Sequence, residues 1–140
     1  MPGLLPMKAS TAVLAFAVLA SSAALAADPK TVEELAVISD LETARLDPLS
    51  IRRLGDDARF DVGVAWRDPA RRPRGEAATR VVQYVAHCND GTLALASVST
   101  SDEQGRPLKR YLVPPGSADP FQPPPGSQEA AWIGKVCGRN

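Results

Sequence analysis

The sequence is short of the residues that most metal proteins and many enzymes rely on. It holds one histidine and two cysteines in 140 residues, too few imidazole and thiolate donors for a zinc or iron cluster. Three Phe, two Trp and two Tyr are its only aromatic side chains, so the core is thin and little apolar mass is left to line a deep ligand pocket. Charge of one sign is missing as well: sixteen Lys and Arg balance sixteen Asp and Glu. No global field therefore recruits nucleic acid or an anionic membrane, and any electrostatic role must be local. A glycine-rich phosphate loop, a serine elbow and a paired-carboxylate motif are also absent.

Proline and glycine are plentiful, at thirteen and ten residues, and mark a chain rich in turns. At the start, Lys8 closes a short positive region, Ala12 to Ala20 is uncharged and apolar, and Ala24-Leu25-Ala26 supplies the small-x-small pattern of a cleavage site. The expectation is a signal peptide over 1–27 and a single exported domain over 28–140. An uncleaved anchor over Ala9 to Ala27 is the competing reading, weakened because Ala and Ser dominate it while insertion is driven by Leu, Ile, Phe and Val. No cysteine adjoins the cleavage site, so lipidation is not expected. The mature chain would have no membrane span and would sit in the periplasm, be secreted, or lie at the cell surface. In such an oxidising compartment two cysteines in a small domain pair with each other, so a Cys88–Cys137 disulfide is expected. It closes a loop of about 50 residues, for which chain entropy gives about 4 kcal/mol.

Asp28 to Glu34 reads as polar and frayed, and Leu35 to Ile38 is too short to assign by period. Thr43 to Leu46, Asp47-Pro48 and Ser50 to Arg53 read as strand, turn, strand, followed by a turn at Gly55-Asp56-Asp57. Phe60, Val62, Val64 and Trp66 alternate with Asp61, Gly63, Ala65 and Arg67, a clean strand period. Thr79 to Cys88 is the next strand, with Val82, Tyr84, Ala86 and Cys88 on one face and Val81, Gln83, Val85 and His87 on the other. Asn89-Asp90-Gly91 is a hairpin signal leading to a strand over Thr92 to Ser99. After a turn over Ser101 to Pro107, Leu108 to Val113 reads as an edge strand, marked by Lys109 and Arg110. Pro-Pro-Gly-Ser occurs at Pro114 and again at Pro124, a stiff connector to a helix capped by Ser127 and ended by Gly138. In that helix Ala130, Ile133 and Cys137 share a face, with Trp132 and Val136 alongside. The fold class is α+β: an antiparallel meander of about six strands with one C-terminal helix, tied to the sheet by the disulfide.

An ordered set of segments resembles the surface-adhesin protein E family of small exported bacterial proteins. It runs from LDPLSIRR through the long alternating strand to Tyr84 and Cys88 in YVAHC. DGTLAL, a turn at Gly105 and PPGS leading to Val136-Cys137 complete it, spanning Leu41 to Cys137. The resemblance implies a helix held to an antiparallel sheet by a disulfide, a capacity to dimerise, and adhesive binding of host matrix and plasma proteins. The family's namesake is a lipoprotein; the missing leader cysteine here favours the periplasm or secretion.

His87 and Cys88, with Asp90 nearby, superficially offer a base and a nucleophile. Strand neighbours point to opposite faces, and a disulfide leaves no thiolate. The reading is therefore a protein that is not an enzyme and needs no metal or cofactor. One charge feature stands out: Arg67, Arg71, Arg72, Arg74 and Arg80 are crowded against only Asp68 and Glu76. Guanidinium groups fork onto sulfate, phosphate or carboxylate, so this loop is the candidate site for a protein or anionic extracellular partner. The competing function is a periplasmic structural or envelope-maintenance protein that forms a homodimer through Gly63, Ala65, Val81 and Val85.

Overall fold

A computed structural model describes residues 31–114 and 116–138 together with Gly3; the leader expected over 1–27 falls outside them. In chain order the elements are helix α1 (Val32–Ala36) and strands β1 (Glu42–Leu46), β2 (Arg52–Leu54), β3 (Asp57–Trp66), β4 (Thr79–His87), β5 (Thr92–Ser101) and β6 (Pro107–Leu112), then helix α2 (Gln128–Val136). All six strands form one antiparallel sheet in the order β1-β3-β4-β5-β6, and β2 pairs with the start of β3. Strand β3 is long enough to take both: β1 pairs from Val62 to Trp66 and β2 from Asp57 to Arg59. Between them a short 3₁₀ turn at Pro48–Ser50 breaks the edge. Asp47 caps that turn by accepting from Leu49 N at 2.9 Å, and the Ser50 hydroxyl accepts from Asp61 N at 2.8 Å. The α+β architecture read from the sequence is the one observed.

The core follows from the period of two. Pairing of Phe60 with Tyr84 and of Val62 with Val82 places both strands' apolar positions on one face, where Phe60, Val62, Val82, Ala86, Leu93 and Val98 are fully buried. Strand β5 departs from strict alternation. A bulge lets Tyr84 face Leu95 and Gln83 face Ser97, leaving Ala96 over. The extra residue changes parity, so that Leu93, Leu95 and Val98 all reach the core side.

Helix α2 covers this face with Trp132, Ile133 and Val136. The 3, 4 spacing through Ala130 and Cys137 placed Trp132 alongside the buried stripe. In the structure the indole is at its centre and Ala130 is half-buried, because the largest side chain removes the most apolar area. Trp132 meets Phe60 edge-on at 6.2 Å and Tyr84 at 5.9 Å, while Phe60 and Tyr84 stack at 5.7 Å. Three of the few aromatics are thus spent in one cluster. Ser127 caps the helix by accepting from Ala130 N at 3.2 Å, and Gly138 ends it at φ 70°. The Cys88–Cys137 disulfide joins the helix end to the strand end with a Cα–Cα distance of 5.6 Å.

The N-terminal segment corrects the sequence reading. The first three residues of α1 fall in the stretch expected to fray and the last two in the run left unassigned; its cap is the Thr31 hydroxyl accepting from Glu34 N at 3.2 Å. Five residues are too few to show a helical period; the helix exists because Val32, Leu35 and Ala36 pack on the core.

Candidate functional site

Both helices lie on the core face, and among the described residues no helix covers the other. By the pairing register that open face carries Asp57, Arg59, Asp61, Gly63 and Ala65 from β3 and Val81, Gln83, Val85 and His87 from β4. At the β5–β6 side a cleft of about 740 Å³ lies between the sheet and the loop after β6, lined by Arg59, Val85, His87, Ala94, Arg110 and Leu112.

His87 stands on this open face, while Cys88 is turned to the core and joined to Cys137. The adjacent pair therefore supplies no thiolate. His87 instead meets its cross-strand partner Asp57, Nδ1 to Oδ1 at 2.9 Å. Read as a solvated turn residue, Asp57 is the first residue of β3 and belongs to the sheet surface. On its other side His87 faces Thr92, whose hydroxyl oxygen is buried without a partner among the described residues. Gln83 Nε2 donates to Asp61 Oδ1 at 3.2 Å, so both acids of β3 on this face are engaged.

The five arginines singled out from the sequence do not form one group. Arg67, Arg71, Arg72 and Arg74 surround the β3–β4 connection, where a 3₁₀ turn at Pro69–Arg71 is capped by Asp68 accepting from Ala70 N at 3.0 Å. Arg67 Nε donates to Glu42 O at 3.2 Å, and Arg72 pairs with Glu103 at 2.5 Å. Arg71 and Arg74 are exposed, and their side chains engage no acceptor among the described residues. Arg80 is elsewhere: its side chain is 10% exposed and pairs with Glu42, 5% exposed, at 2.5 Å. Its guanidinium also donates to the carbonyls of Leu35 and Val37, fastening the end of α1 to the sheet. The parity of Arg80 with Val82 and Tyr84 was the signal that it belongs under the helices.

Three further arginines were not among the candidate site residues read from the sequence. Pairing of Arg45 with Gly63, Arg59 with Val85 and Arg110 with Ser99 places them on the open face. All three are exposed, and among the described residues none of their side chains has an acceptor. Their signal lay in strand parity, which needs the register to become a shared surface. The open face is thus cationic, although the chain as a whole is neutral. No protein-family model, curated protein or solved structure matches this chain.

Proposed function

We propose that the chain is an exported, non-catalytic binding protein, similar in kind to surface-adhesin protein E, which holds an extracellular polyanion on its open sheet face and arginine loop. One observation carries the reading. Arg45, Arg59, Arg71, Arg74 and Arg110 are exposed without an acceptor among the described residues, while Asp57 and Asp61 are already engaged. The leader-like start, the disulfide and the ordered resemblance of Leu41 to Cys137 agree with an exported binder. Each exposed guanidinium–anion pair contributes less than about 1 kcal/mol, so useful affinity requires several at once and must fall with salt.

Heparin-affinity elution in a salt gradient tests this. The native protein is expected to be retained, and both Arg71→Ser/Arg74→Ser and Arg59→Ser/Arg110→Ser are expected to elute earlier. Elution unchanged in both double variants, or retention insensitive to salt, overturns the reading. A second reading rests on a different observation: Val81 and Leu112, 40% and 64% exposed, lie on the same face as Gly63 and Ala65. On that reading the face meets its copy, and the protein acts as a periplasmic structural or envelope-maintenance homodimer.

A further inference from the structure

The helix-bearing side holds a cavity of opposite character. Helix α1, the loop before Phe121 and the start of α2 surround an open space of about 480 Å³ above Tyr84, within the size range of small-ligand sites. Its apolar walls include Ile38, Leu95 and Phe121, and Phe121 is 43% exposed at the rim. Among the described residues three carboxylates line it, Glu33, Asp119 and Glu129, and no Lys or Arg does. None of the three forms an ion pair among the described residues. Glu33 and Glu129 lie in the first turns of their helices, a placement the helix dipoles favour. Asp119 lies in no helix, so dipoles do not account for it.

Tyr84 provides an independent pointer. Its side chain is almost wholly enclosed, with the residue only 5% exposed. Its hydroxyl nevertheless has no hydrogen-bond partner among the described residues and is not sealed in the core. Enclosed phenol groups normally find a partner. This one opens on the cavity, close enough to Glu129 for the carboxylate charge to act on it. A group that fits must therefore offer apolar surface, carry positive charge and donate a hydrogen bond to the phenol oxygen.

We propose that this cavity binds a small organic cation, an ammonium group on an apolar body, with the charge held by Glu33, Asp119 and Glu129 and the body against Tyr84 and Phe121. Aromatic faces beside carboxylates are a favourable setting for such cations. Phenethylamine is a suitable probe because it combines the two parts. Trp132, 5.9 Å from Tyr84, gives the fluorescence readout, checked by calorimetry on the same exported, purified protein.

Saturable binding of phenethylamine is expected to be about tenfold tighter than that of the neutral 2-phenylethanol, with none for the anion 3-phenylpropanoate. The variant Glu33→Gln/Asp119→Asn/Glu129→Gln is expected to lose that about tenfold preference while keeping the alcohol's weak affinity. Asp119→Asn alone leaves both helices and the core untouched, so it remains informative if the triple variant does not fold; it should weaken the amine severalfold and leave the alcohol unchanged. Equal affinity for amine and alcohol, absence of saturation by the amine, or an amine affinity unaltered by Asp119→Asn overturns the proposal.

Discussion

Arg80 and Glu42 show how one residue's role depends on its side of a strand. Four neighbouring arginines sit in or beside the β3–β4 loop, whereas Arg80 points under α1 and holds a carboxylate and two carbonyls. Removing one member of a buried pair leaves the other charge without compensation, which costs about 3–5 kcal/mol. Arg80→Ala should therefore lower the free energy of unfolding in urea by about that much, while Arg71→Ser changes it by less than about 0.5 kcal/mol. Equal effects of the two would contradict the clamp. Tyr84 yields a second expectation. Burial, helped by the charge of Glu129 and opposed by Arg80, pushes its hydroxyl up from 10.0 to about 12. Below the ordinary value both folded and unfolded chains keep the proton, so this group adds no pH dependence. Between that value and about 12 the unfolded chain ionises and the folded chain does not, so stability falls with rising pH, by up to about 3 kcal/mol. In urea titrations from about pH 9 to about pH 11, Tyr84→Phe should flatten that decline; an unchanged slope would remove Tyr84 as its cause. The pairing of Cys88 with Cys137 was legible at this scale, since the chain has two cysteines in all and an oxidising compartment was expected. The Asp57–His87 contact was not, because its members are thirty residues apart and meet only through the hairpin register.

Among the elements, β3 and β4 were the most legible because their buried side chains alternate without interruption. The bulge in β5 hid from the same reading, since one extra residue reverses parity only once the partner strand is in place. The helices differ for a comparable reason. Helix α2 announces itself with Ser127 and Gly138, whereas α1 spans five residues and depends on the core beneath it. Even α2, at nine residues, is too short to persist alone in water; its Trp132 face and the disulfide keep it in place. The double variant Cys88→Ala/Cys137→Ala should lose about 2–5 kcal/mol, lowering the thermal midpoint by about 10 °C or more in a domain of this size. A midpoint within about 2 °C of the native one would mean that packing alone secures the helix.

At the scale of the whole molecule, the two sides of the sheet divide the labour. One side is covered by α1, α2 and the aromatic cluster except over the cavity beside Tyr84; the other presents arginines around small residues and exposed Val81. If that face binds polyanions, the free protein should be a monomer by size exclusion with light scattering, because like charges on two copies repel. A concentration-dependent dimer that Val81→Arg dissolves would favour the homodimer instead. The sequence by itself determined the class of fold, the consecutive run of strands from β3 to β6, the C-terminal helix and the cysteine partnership, but not that β1 and β2 would share β3 as their neighbour. Each follows from local rules: alternation, turn chemistry, caps, and the absence of any other thiol. Only the tertiary structure decided which arginines are free, which acids are occupied, and where Tyr84 and three carboxylates gather around one cavity. Those are matters of register and of distance through space, and residues far apart in the chain acquire them only when the sheet closes and the helices settle on one of its faces.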